Sequence, residues 1–234
     1  MFDRIKKALA RSAPEPTAGA ADSGPPSVAD GPVSQWAATR GLSYTPDGAG
    51  GAVLEGRVQG RPWRLERGKP TRGYVIGQEL RARAELALHE DVAAMVMNRS
   101  LKEALESRAF EQSTDQLQTT IDNHLPQEVR WLAMFDEFVW DGPPAAFWAR
   151  YAVVADRRET ALGWIDTPLA QQLLDWPAPG PSAEVPFTLL LLRGKAYLRM
   201  EYRPANLPTL QHAALVFTSA CDSALRTPVD VALE

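Results

Sequence analysis

Between Tyr74 and Leu88 the chain alternates with a strict period of two. The even positions hold Tyr74, Ile76, Gln78, Leu80, Ala82, Ala84, Leu86 and Leu88, while Glu79, Arg81, Arg83 and Glu85 take odd positions. The Glu, Leu, Arg and Ala content favours a helix, but a helix would scatter these two sets around its circumference. A strand separates them cleanly, one set on each face. The alternation therefore predicts a strand with one apolar and one charged face. That in turn calls for an antiparallel sheet whose other side is covered, because parallel sheets are buried on both faces.

The neighbouring segments fit an α+β fold. Val33 to Arg40 reads as a short helix stopped by Gly41. Ala52 to Val58 and Pro62 to Arg67 form a hairpin around Gln59-Gly60, with Pro62 suited to an edge or a strand start. His89-Glu90-Asp91 is expected to turn the long strand back into Val92 to Met97. A helix from Ser100 to about Phe110 carries a capping-box pattern with Glu103, and residues 111 to 124 read as loop. Pro126 suits the first turn of a helix bearing Val129, Leu132 and Phe135. Phe147 to Ala155 alternates as a strand. Thr167-Pro168 opens a helix carrying Leu169, Leu173 and Trp176. Phe187 to Leu192 and Ala196 to Tyr202 pair around Arg193-Gly194-Lys195, and a last helix runs from about Pro208 to Leu225. The expectation is an antiparallel sheet built from hairpins, with helices packed on one side.

Composition divides the chain. Residues 12 to 32 contain five prolines, three glycines and one large aliphatic residue, Val28, too little apolar surface to offset ordering entropy. A disordered linker is expected there, with the globular domain at 33–234. Residues 1 to 32 carry four basic and four acidic side chains, so the net charge of −4 belongs to the domain. Ahead of the linker, MFDRIKKALAR at 1–11 places Phe2, Ile5 and Leu9 on one side of a helix, with Lys6 and Lys7 among its basic residues. This is a short basic amphipathic peptide without the apolar stretch of a secretory signal. It suits docking on a protein partner better than on a membrane surface, since three apolar residues hold lipid only weakly.

The segment FWARYAVVADRRETALGWIDTPLAQQLLDW followed by LLLLRGKAYLRMEY, residues 147–202, resembles a module in uncharacterised bacterial proteins. The resemblance implies a strand ending near an Asp, then a helix opening on Thr-Pro, then a hairpin. It implies no activity and no site. Arg-Gly-Lys occurs at both 67–69 and 193–195, so 33–125 and 126–234 are candidate similar halves, although turn chemistry alone yields such a match.

Signatures of chemistry are absent. Neither Gly68-Lys69 nor Gly194-Lys195 has phosphate-loop glycine spacing, the glycines at 48, 50 and 51 do not make a dinucleotide fingerprint, and no GxSxG occurs. His89, His124 and His212 lie far apart, with no HExxH and one cysteine, so no metal or other cofactor is expected. On a helix Cys221 and His212 stand half a turn apart. Cys221 is expected to be buried beside Leu210, Ala214 and Phe217, with His212 exposed, so the two form no dyad. A single cysteine and the lack of a long apolar run point to a cytoplasmic protein without a transmembrane segment, peripheral to the inner membrane face at most. The domain's acidity argues against nucleic acid as a partner, and the tryptophans at 131, 140, 148, 164 and 176 are expected to pack in the core.

The one concentrated polar feature is Glu79, Arg81, Arg83 and Glu85. Such a face is either solvated and salt-bridged across the sheet, with Arg57, Arg64 and Glu66 as candidate neighbours, or a surface that grips carboxylate or phosphate through arginine forks. Six residues of extended chain separate Glu79 from Glu85 by about 20 Å, too far for paired-carboxylate catalysis. The sequence therefore suggests a non-enzymatic interaction or adaptor domain with a tethered docking peptide. The alternatives are a small-molecule or peptide-binding domain using the arginine-rich strand, and an enzyme whose site is assembled from distant residues.

Overall fold

A computed structural model describes residues 31–48, 50–115 and 127–226. In chain order the elements are α1 Gly31–Thr39, β1 Ser43–Pro46, β2 Ala52–Val58, β3 Arg61–Gly68, β4 Glu79–Glu85, β5 Ala94–Asn98, α2 Arg99–Asp115, α3 Gln127–Met134 and β6 Asp136–Glu137. They continue with α4 Ala145–Arg150, β7 Tyr151–Ala155, α5 Arg158–Trp164, α6 Thr167–Leu174, β8 Phe187–Leu192, β9 Lys195–Glu201 and α7 Leu207–Arg226. The class is α+β, as the alternation requires. All described strands join one antiparallel sheet in the order β1-β2-β3-β4-β9-β8-β5-β7-β6.

Two of the three anticipated hairpins form, each on a two-residue turn. Gln59 and Gly60 have φ of 46° and 78°, and Arg193 and Gly194 have 48° and 74°. Positive φ at both turn positions matches the right-handed twist of the flanking strands. Gly194 has a second constraint, since a Cβ there would lie 2.9 Å from the Leu88 carbonyl oxygen. Pro62 sits second in β3 opposite Arg57, at a strand start rather than an edge, because β1 and β2 lie outside it.

The main departure from expectation is the pairing of β4. It does not turn back on β5. After Glu85 the chain leaves the sheet, Leu86 N–H donates to the Gly194 carbonyl at 3.0 Å, and Ala87 takes φ 54° as the chain passes the β8–β9 turn. The β8–β9 hairpin thus lies between β4 and β5. The segments 33–125 and 126–234 consequently interleave within one sheet and one compact unit.

Local boundaries shift for identifiable reasons. Residues 147–150, expected to be extended, belong instead to the helical turn Ala145–Arg150, which ends at the extended Tyr151; the Phe147 and Tyr151 rings lie 5.5 Å apart between centroids. Ser100 makes no capping box. It lies inside α2, and its hydroxyl donates to the Ala183 carbonyl at 2.8 Å. Helix α2 also reaches Asp115, past the expected stop. Asp166, not Thr167, caps α6 by accepting from Leu169 N–H at 2.8 Å, which places Pro168 in the first turn.

The core lies chiefly on one face of the sheet. There Leu54, Trp63, Leu65, Leu80, Ala82 and Leu198 meet α7 through Leu210, Ala214, Phe217 and Cys221, with α1, α4, α5 and α6 completing the layer. A smaller cluster on the opposite face packs Met95, Met97 and Val154 against Leu101 and Leu105 of α2 and Val129 and Trp131 of α3. This second layer covers only the β5–β7–β8 end. The β2–β3–β4–β9 end of the same face keeps its charged side chains.

Candidate functional site

The register of three strands builds the charged face. Arg64 of β3, Arg83 of β4 and Tyr197 of β9 share one cross-strand row, and Glu66, Arg81 and Arg199 share the next. Arginines therefore face each other directly in both rows, an arrangement that repels unless carboxylates intervene. Glutamates directly across from a cation and two residues along the same strand from another supply them. Glu66 accepts from Arg64 at 2.7 Å and from Arg81 at 3.0 Å. Glu85 pairs with Arg83 on its own strand and with Lys195 at 3.3 Å. Burial works against the charge on Glu85, but the bonds from Arg83 and Lys195 outweigh it and hold the carboxyl below its ordinary range. Arg83 also lies 6.0 Å from the centre of the Tyr197 ring, a cation–π contact.

All of these side chains but Lys195 line an open concavity of about 1080 Å³. Arg40, Arg57, Arg64, Arg81, Arg83 and Arg199 border it against Glu55, Glu66 and Glu85, six cations to three anions. The arginines occur at two depths. Arg64 and Arg83 are 52% and 55% exposed, whereas Arg81 and Arg199 are 26% and 23% exposed. Among its described lining residues there is no histidine or cysteine, and no described group of three potential ligands could hold a metal ion. Forked guanidinium groups here can bind carboxylate or phosphate.

Three of the four sequence-selected strand residues, Arg81, Arg83 and Glu85, line this surface, together with Arg57, Arg64 and Glu66 of the first hairpin. Glu79 does not. It keeps the parity of the charged face but is 0% exposed, because the β3–β4 connection folds over that end of the strand. One carboxylate oxygen of Glu79 accepts from Thr71 N–H at 2.7 Å and Thr71 Oγ1 at 2.9 Å, and the other from Arg199 at 2.8 Å. Two further buried glutamates hold the same connection. Glu128 of α3 accepts from Arg72 at 2.9 Å and from the Tyr74 hydroxyl at 3.0 Å, and Glu201 of β9 accepts from Ile76 N–H at 3.0 Å. Burial and the neighbouring Glu128 charge push the Tyr74 hydroxyl pKa up. The connection from Lys69 to Gln78 is therefore a strap, and Tyr74 to Gln78 belong to it rather than to the start of the strand.

Arg199 and Tyr197 were not singled out from the sequence. Their signal was the polar alternation Lys195, Tyr197, Arg199, Glu201, which equals that of β4 but does not reveal that the two strands are neighbours. The docking-peptide residues Phe2, Ile5, Lys6, Lys7 and Leu9, and His124, lie outside the described residues. Cys221 is buried as expected, and burial raises its thiol to about 12. His212 is not exposed: it is half-buried, its Nε2 lies 2.7 Å from the Gln172 carbonyl oxygen, and its ring packs 4.6 Å from that of Trp176. Burial lowers its pKa. His89 lies exposed beside Asp91 in the turn. Trp131 and Trp164 are buried, and Trp140, Trp148 and Trp176 pack against the core. No described helix is long and apolar enough to cross a membrane.

No family model, curated protein or solved structure matches this chain.

Proposed function

We propose that this chain is an interaction domain that binds a carboxylate-rich partner segment on the arginine-lined face of its sheet. The observation that carries this reading is the surplus of six arginines over three glutamates in one concavity of a chain with net charge −4. A concave surface of one sign concentrates the field of its charges and attracts ligands of the opposite sign. The half-exposed pair Arg64 and Arg83 is the accessible tier, and Glu66 and Glu85 beside them keep the guanidinium groups ordered before a ligand arrives.

A fluorescently labelled hexaglutamate peptide, followed by anisotropy at low salt, tests the proposal. Binding is expected to weaken about tenfold or more in the Arg64→Ala, Arg83→Ala double variant and to fall as salt rises, since charge-assisted bonds contribute about 1.5–3 kcal/mol each and exposed charges are screened. The double variant should keep its melting temperature, because both side chains are half exposed. No binding to the unaltered chain would refute the proposal.

The basic amphipathic sequence at 1–11 favours a second, compatible role, an adaptor whose N-terminal peptide docks on a protein partner. Deleting residues 1–12 is expected to remove specific proteins that co-purify from the native host while leaving the domain's melting temperature unchanged. An unaltered partner list would reject that role.

A further inference from the structure

The arginine-lined concavity does not end at the edge of the sheet. Strand β1 pairs with β2 only as far as Ser43 opposite Glu55, so Gly56, Arg57 and Val58 have no described strand on their outer side. The α1–β1 connection passes there instead. Gly56 makes this packing possible: a Cβ at that position would lie 2.6 Å from the Leu42 side chain and 3.0 Å from the Trp63 ring. Leu42 and Trp63 occupy the space left over the β2 backbone, and both border the arginine-lined surface.

They also border a second concavity of about 470 Å³ on the helix side, between α1, the end of β2 and α7. The two concavities share Arg40, Leu42, Arg57 and Trp63. The second is largely apolar, with Trp36, Val58 and Leu215 among its walls, and Leu215 is 48% exposed on a helix whose other large side chains are mostly buried. Among its described lining residues the charged ones are Arg40 and Arg57, with no carboxylate.

From this continuity we infer that the occupant is an extended acidic peptide segment of a partner protein that ends in a bulky apolar side chain. The inference rests on the function proposed above and specifies its ligand. The acidic run lies along Arg64, Arg83 and the deeper arginines. The chain then rounds the sheet edge at Gly56, past Arg40 and Arg57, and its apolar side chain enters the groove beside Trp36 and Leu215. Charge selects the partner and the groove fixes its register, the usual division between a charged rim and an apolar anchor. A free small anion would use only the first half of this surface.

Two peptides separate the possibilities: hexaglutamate, and hexaglutamate followed by Leu-Phe, each labelled at the acidic end and titrated against the full chain by anisotropy. The Leu-Phe peptide is expected to bind about tenfold or more tightly, the effect of burying one large apolar side chain. Leu215→Ser, a change at a half-exposed position that preserves charge, is expected to abolish most of this advantage while leaving hexaglutamate binding unchanged. Equal affinity for the two peptides would overturn the apolar anchor and leave the acidic-partner proposal standing. A Leu-Phe advantage undiminished by Leu215→Ser would overturn the assigned groove. If neither peptide binds, both the inference and the proposal beneath it fail.

Discussion

Glu79→Ala is expected to destabilise the domain by about 3 kcal/mol, the lower end of the range for breaking a buried ion pair by removing one partner. The lower end applies because Arg199 is 23% exposed and can regain water, whereas Glu79 is fully buried. The substitution also removes the acceptor of Thr71 N–H and Thr71 Oγ1. With a urea dependence of about 2 kcal/mol per molar, the unfolding midpoint should fall by about 1.5 M. Glu79→Gln retains an acceptor for Thr71 but loses the charge opposite Arg199, and should lie between the two. Limited proteolysis supplies a second measure, with the strap from Lys69 to Gln78 cut faster in both variants. A midpoint shift below about 0.3 M for Glu79→Ala would show that the side chain contributes no more than a solvated surface glutamate.

Trp164→Ala is expected to have a larger effect, about 4 kcal/mol, as for other fully buried aromatic side chains. Trp164 closes α5 against α7: its indole N–H donates to the Ala220 carbonyl at 3.1 Å, and its own carbonyl accepts from Ser223 Oγ at 2.7 Å. Alanine would leave a cavity between the two helices, and the melting temperature should drop by about 10 °C or more for a domain of this size. Trp164→Phe keeps most of the ring volume and loses the indole hydrogen bond, so a drop of about 3–6 °C is expected. Equal losses in the two variants would mean that the hydrogen bond, and not packing, dominates at this position.

These two residues differ in how far the sequence anticipated them. Trp164 stands among tryptophans for which core packing is the ordinary expectation, and there it lies. Glu79 stands in the most regular polar alternation of the chain, and there the expectation of a wet position failed. Parity assigned it correctly to the face shared with Arg81, Arg83 and Glu85. What parity does not carry is whether another segment covers that face. The cover is the strap between β3 and β4, held by Glu128 and Glu201, which lie about 50 and more than 120 residues away in sequence.

The candidate site shows the same division. Arg81, Arg83 and Glu85 were legible as a concentrated charged strand, and Arg57, Arg64 and Glu66 as its hairpin neighbours. Arg199 and Tyr197 had an equally regular strand, but nothing local indicates that β9 rather than β5 lies beside β4. An alternating strand offers the same backbone donors, acceptors and apolar face to any antiparallel neighbour, so pattern leaves the neighbour open.

By itself, the sequence determined what depends on short range. It marked every described strand but β1 and β6, the two faces of β4 through period two, the turns at Gly60 and Gly194, and the closing helix through its apolar stripe at Leu210, Ala214, Phe217 and Cys221. It also placed the charge: the acidity resides in the domain, and the arginines cluster on one strand and its hairpin neighbours. Only the tertiary structure decided that the β8–β9 hairpin enters between β4 and β5, that Glu79 lies under a strap, and that the arginine face adjoins an apolar groove where the α1–β1 connection passes the sheet edge. The physical reason is that each of these rests on contacts between residues far apart in sequence. Their free energy arises from joint burial and paired charges, to which no single segment carries a periodic signal.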